Sequence, residues 1–237
     1  MGIAAQFSKR LHKEINAHAA WLPVANSFEL GDYGLVSDGV FQRIGNIKEF
    51  GVDFDSKDSK PAGIDFKSED AKRFSVVADA EVNALPDAPI DAKLRIELGR
   101  KGSYYAKAAD ATTTEMSNIR EVASSLARAR GWRRKYRVVS SVITGHDCLI
   151  VTANADNAIF ELSGQADALQ HLNVGALKAG LSVTDDTNVG VTIVGETGVV
   201  GLRLFKLRWF GDEANLLGPT GESGYEEATA DELEDDV

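Results

Sequence analysis

Between Thr112 and Gly164 the apolar spacing changes from a helical repeat to a repeat of two, and that change restricts the fold more than any other feature. Thr112 and Glu115 have the capping-box spacing, in which each side chain satisfies the other's free backbone N–H at a helix start. Met116, Ile119, Val122 and Leu126 then recur at steps of three and four, which predicts a helix of about five turns with one apolar stripe. Arg128 and Arg130 fall at its negative end, and Gly131 suits a left-handed closing residue. From Trp132 the period is two. Strands are expected at 132–143, 147–154 and 157–163, joined by Gly145-His146 and Ala155-Asp156.

The rest of the chain adds more sheet than helix. Residues 3–20 read as an amphipathic helix, with Ala4, Phe7, Leu11 and Ile15 on one side and Lys9, Arg10 and Lys13 on the other. Such a helix either lies on an anionic lipid surface or covers a sheet. Tyr33–Val36 and Val40–Ile44 flank Ser37-Asp38-Gly39, a hairpin signal. Segment 55–61 reads as a solvated loop. Residues 72–82 and 90–98 alternate strictly, and the two prolines of 85–89 make the connection between them a loop. Another strand is expected near 103–109. Beyond Gly164 the sequence suggests a helical turn or two at 165–172 and a short strand at Leu181–Thr184. Strands at Val189–Val194 and Val199–Phe210 follow, with a turn at Glu196-Thr197-Gly198. This order is α+β: a twisted, mostly antiparallel sheet with an N-terminal amphipathic helix and a mid-chain helix.

Charge divides the chain. The net charge is -10, yet all ten acids after residue 211 stand without a base. Residues 1–211 therefore hold 26 acids against 26 bases. The reading is one α+β domain over 1–210 and an acidic tail over 211–237, which cannot bury enough apolar surface to fold alone. Leu216, Leu217 and Tyr225 are its candidate anchors to the body; otherwise it is a disordered acidic tail. No apolar run approaches the roughly 18 residues of a spanning helix, and no h-region marks a signal peptide. The single cysteine, Cys148, fits a reducing cytoplasm.

Catalytic chemistry finds no footing in these residues. His12 and His18, six apart on the expected helix, should face different directions, and no acid or cysteine stands at ligand spacing, so no metal or cofactor is expected. His146, Asp147 and Cys148 are strand neighbours that alternate faces, which makes Cys148 a core thiol. Arg128, Arg130, Arg133, Arg134, Lys135 and Arg137 form a basic cluster interleaved with Trp132 and Tyr136. A neutral body argues against nucleic acid. Anionic lipid headgroups, or the protein's own tail, suit the cluster better.

The stretch TDDTNVGVTIVGETGVVGLRLFKLRW (184–209) resembles the end of the pore-forming domain of gasdermins. GWRRKYRVVSSVITGHDCLIV (131–151) is similar to the gasdermin strand pair that follows a helix and opens on basic residues. FSKRLHKEINAHAAWLPVAN (7–26) is similar to the gasdermin N-terminal helix. The resemblance covers most of residues 3–210 as a layout. It implies a latent cytoplasmic pore former of the bacterial type, held by a short C-terminal segment that an activating protease removes. The freed domain would bind anionic lipid at the inner membrane face and form a large homo-oligomer. Lys9, Arg10, Lys13 and the cluster 128–137 would meet headgroups, and 74–82, 90–98, 136–143 and 147–154 would supply spanning hairpins. The competing reading is a soluble, non-enzymatic binding or scaffold protein whose tail keeps it soluble or docks a partner.

Overall fold

Both helices of the computed structural model are shorter than the sequence pattern suggests, and each is cut where strand pairing takes the chain. The structure describes residues 3–37, 39–60, 62–77, 91–133, 135–165, 182–185, 188–207 and 225–227. Helix α1 spans Ile3–Ile15, and the chain then enters β1 (His18–Ala19). Strands β2 (Asp32–Ser37) and β3 (Val40–Asn46) form the expected hairpin, with Gly39 left-handed at φ 73°. A 3₁₀ turn follows at Ile47–Phe50, where Asn46 and Glu49 make a reciprocal capping box and Gly51 closes in the left-handed region.

The region read as a loop at 55–61 contains β4 (Ser56–Asp58), paired with the long β8 (Tyr104–Met116). Between them come β5 (Ala62–Lys67), β6 (Ala71–Val77) and β7 (Asp91–Leu98). The expected capping box at Thr112 and Glu115 therefore lies inside a strand. Helix α2 runs only from Ile119 to Arg128, with Asn118 at its start. Two further corrections concern turns. Strand β9 runs unbroken from Arg137 to Ala153, through Gly145-His146, and Trp132 lies outside it. After β10 (Ala158–Gln165) and β11 (Ser182–Asp185), β12 runs unbroken from Val189 to Leu207, through Glu196-Thr197-Gly198. Asp147 and Gly195, beside the expected turns, take positive φ within these continuous strands. The last element is β13 (Tyr225–Glu227). The expected helical turns at 165–172, the loop 85–89 and Leu216 and Leu217 lie outside the described residues.

The chain divides into two compact units. The first comprises 1–61, 112–144 and 198–237. Its antiparallel sheet has the order β1-β12-β9-β2-β3. The sheet is covered on both faces, which is why Val138 and Val139 are neighbours in sequence and members of separate cores. On one face, α2 sets Val122, Ala123 and Leu126 against Tyr33, Val138, Phe205 and Leu207. On the other, Val139 and Val142 meet Val36, Phe41, Leu202 and Leu204. Helix α1 buries Phe7 and Leu11 completely, and each such side chain contributes about 2 kcal/mol. Ser8 Oγ accepts the Ala19 N–H at 3.0 Å and ties the helix to β1.

The second unit comprises 62–111 and 145–197. It holds the four-stranded antiparallel sheet β11-β10-β7-β6. Leu94, Ile96 and Leu98 of β7 stand opposite Leu162, Phe160 and Ala158 of β10 and share their core with Tyr105, Leu149 and Val151. The alternate positions carry the charges. Arg95 reaches Glu97 at 2.9 Å and Glu161 across the strand pair at 3.2 Å. The expected alternation holds over Leu94–Leu98, whose apolar half forms a core; residue 90 lies outside the described residues.

Candidate functional site

Two surfaces of the first unit collect the residues singled out above. One is the turn after α2. The helix ends at Arg128, whose Nε donates to the Ser124 carbonyl at 3.2 Å, and Gly131 turns the chain at φ 92°. Trp132 and Tyr136 then fold inward onto Tyr33 and Phe50. The four rings meet at centroid distances from 5.1 to 5.6 Å in tilted and edge-to-face pairs, a preferred arrangement for aromatic quadrupoles. Tyr33 donates from its hydroxyl to Glu49 Oε2 at 3.3 Å. Burial raises the Tyr33 pKa, and the Glu49 charge raises it further. Aromatic packing therefore fixes the turn and leaves its cations outside.

Arg128, Arg130, Arg133 and Lys135 are all exposed. Arg134 lies outside the described residues. Arg137 differs from the others, being only 5% exposed at the start of β9, because strand pairing has drawn it into the sheet. On α1, Lys9 and Lys13 are exposed and Arg10 is half-buried.

The second surface is the outer edge of β12. Its inner side is paired with β9. Its outer side is covered over Val199–Leu202 by β1 and its continuation and over Phe205–Leu207 by β13. His18 and Ala19 of β1 stand opposite Leu202 and Gly201, and the Ala20 and Val24 amides donate to the Val200 and Val199 carbonyls at 3.3 and 2.7 Å. Further along, Glu227, Glu226 and Tyr225 stand opposite Phe205, Lys206 and Leu207. Three residues of the acidic tail thus form a strand on the body. The strand also passes α2, with Cα atoms within 8 Å. This contact escaped the sequence reading as a strand, and only the isolated Tyr225 hinted at it.

Two reactive groups end in structural settings. Because α1 stops at Ile15, His18 turns back in β1 and its ring lies 5.2 Å from that of His12, so the two do not face apart as expected. Cys148 is fully buried, and burial pushes its thiol up to about 12, with the neighbouring Asp147 charge acting in the same direction. Among the described residues no three metal-ligating side chains gather. Among the same residues, no helix is long and apolar enough to cross a membrane.

No protein-family model matches the chain, and no curated protein does. Among solved structures it is similar to a bacterial gasdermin from Bradyrhizobium tropiciagri, at 14% identity and a TM-score of 0.41, covering 94% of this chain and 90% of that one. It is also similar to the gasdermin A3 membrane pore, at 11% identity and a TM-score of 0.39, covering 96% and 95%. In this chain a basic N-terminal helix, a mid-chain helix closed by a basic turn, and long strands follow one another in that order.

Proposed function

We propose that this protein is a latent membrane pore former, restrained by its C-terminal segment and activated when a protease removes that segment. The observation that carries the reading is the pairing of β13 on the outer edge of β12. A three-residue strand held at the edge of a sheet is easily lost once the chain leading to it is cut, because so few backbone bonds hold it.

Other features of the chain support the reading. Exposed Lys9, Lys13, Arg128, Arg130, Arg133 and Lys135 offer contacts to anionic headgroups, each worth about 1 kcal/mol near the surface. Arg10 and the buried Arg137 require local rearrangement to join them. Strands cross a bilayer only as a closed barrel, so the active form is a large homo-oligomer. Spanning strands need about 9–11 residues, and β9 at 17 and β12 at 19 exceed that length. The resting protein is cytoplasmic and moves to the inner membrane face. Leu216, Leu217 and Tyr225 are proposed as the tail's anchors, Tyr225 through β13. The competing soluble-scaffold reading draws on the Arg95–Glu97–Glu161 cluster, which suits a solvated sheet face equally well.

The test is dye release from vesicles of phosphatidylethanolamine and phosphatidylglycerol, using full chain carrying an engineered protease site after Gly211. Release on cleavage, and none before it, supports the reading. Intact vesicles after complete cleavage refute it.

A further inference from the structure

Between β1 and β2 the chain lies against β12 in a short loop, and one residue of that loop is strained. The Ala25 amide donates to the Pro23 carbonyl at 2.8 Å and closes a three-residue turn on Val24, whose φ is 67°. A γ-turn of that hand is rare and strained. Valine suits it poorly, since a β-branched side chain is out of place at positive φ.

The turn is kept in place by β12. The Val24 amide donates to the Val199 carbonyl at 2.7 Å. The loop lies so close to Gly198 that a Cβ there would stand 2.7 Å from the Val24 oxygen and 2.9 Å from its Cα. Gly198 is not left-handed, so the course of β12 does not require a glycine at this place. The loop does. Asn26 Nδ2 donates to the Trp21 carbonyl at 2.5 Å, which makes residues 21–26 one closed unit. Its Leu22 is 44% exposed. The chain before it has a separate attachment, because the Ala19 amide donates to Ser8 Oγ of α1 and β1 pairs at Gly201 and Leu202.

We infer that residues 21–26 are a spring-loaded strap over β12. Strain at Val24 favours lifting, while the glycine seat at 198 and the Val24–Val199 bond oppose it. Lifting frees the Val199 carbonyl and the surface of Gly198, and β1 stays paired. A freed backbone carbonyl in a sheet is an acceptor for another chain. The device belongs to the resting protein and does not depend on the pore reading.

The experiment is hydrogen exchange on the full chain, each amide referred to its rate in an unfolded peptide of the same sequence. Val24→Gly removes the strain and keeps the turn. The amides of residues 24 and 25 should then exchange about fivefold more slowly, the low end for relieving one left-handed residue once the added freedom of glycine is counted. Gly198→Ala pushes a methyl group into the strap, and the same amides should exchange at least about tenfold faster. In both variants the Ala19 amide and the amides of β9 should be unchanged, which separates lifting of the strap from loss of the fold. Equal or faster exchange in Val24→Gly overturns the proposal, as does a Gly198→Ala effect that reaches Ala19 and β9 equally. If Gly198→Ala does not fold, Val24→Gly decides alone by the same criterion.

Discussion

Tyr225, near the end of the chain, stands directly opposite Leu207 in antiparallel register, at the last paired position of β12. A sheet edge left open presents unpaired N–H and C=O groups to any passing strand. Ending the chain at Phe210 should raise amide exchange across Phe205–Leu207. Amides of Val199–Leu202 should be unchanged, because β1 and its continuation still cover that part of the edge. Equal exchange at both places in the shortened chain would mean that β13 protects nothing.

Arg203 of β12 donates from Nη1 to Glu115 of β8 at 2.8 Å, with the two side chains 31% and 30% exposed. Lys57 approaches the same carboxylate at 3.7 Å. Glu115→Ala leaves two cations together and a half-buried guanidinium without its acceptor. It should lower stability by about 1–2 kcal/mol, read from urea denaturation. A loss below a few tenths would mark the pair as incidental.

Gly39 and Gly51 share left-handed backbone but not surroundings. A Cβ at Gly39 would lie 2.8 Å from Ala5 Cα in α1, whereas nothing stands within 4 Å of one at Gly51. Gly51→Ala should cost only the backbone strain, about 1 kcal/mol. Gly39→Ala adds a clash with a helix backbone and should cost about 2–3 kcal/mol. Matching thermal shifts for the two variants would contradict the close seat of α1.

Cys148 carries a pH signature. Its thiol is raised from 9.0 to about 12 in the folded protein. Folding therefore excludes the thiolate: this stability is fully present below pH 9 and is lost as pH rises from 9 toward 12. Alkylation by iodoacetamide at pH 8 should be negligible in the native protein and rapid in urea. Ready native alkylation would place the thiol outside the core.

The helix–strand boundary at residue 116 shows where sequence reasoning stops. Thr112 and Glu115 have the spacing of a helix cap, but Glu115 is claimed by Arg203, 88 residues away. No local pattern carries that pairing. Gly145-His146 and Glu196-Thr197-Gly198 read as turns, yet β9 and β12 run through both, with positive φ at Asp147 and Gly195 beside them. The Ser37–Gly39 hairpin and the alternation over Leu94–Leu98 were legible because period and turn chemistry agree locally. The exposed cations of the α2 turn were legible as a cluster. Their support was not, because Tyr33 and Phe50 come from far earlier in the chain. Arg137 looked like its neighbours until strand pairing buried it.

The central claim is that the tail restrains a body able to open membranes. The most direct measurement is dye release from phosphatidylethanolamine–phosphatidylglycerol vesicles, comparing the protein before and after cleavage past Gly211. The account predicts a tight vesicle with the intact chain, release upon cleavage, and weaker release from K9E/K13E/R133E/K135E. Vesicles that stay sealed while the cleaved body remains a monomer in solution would contradict it.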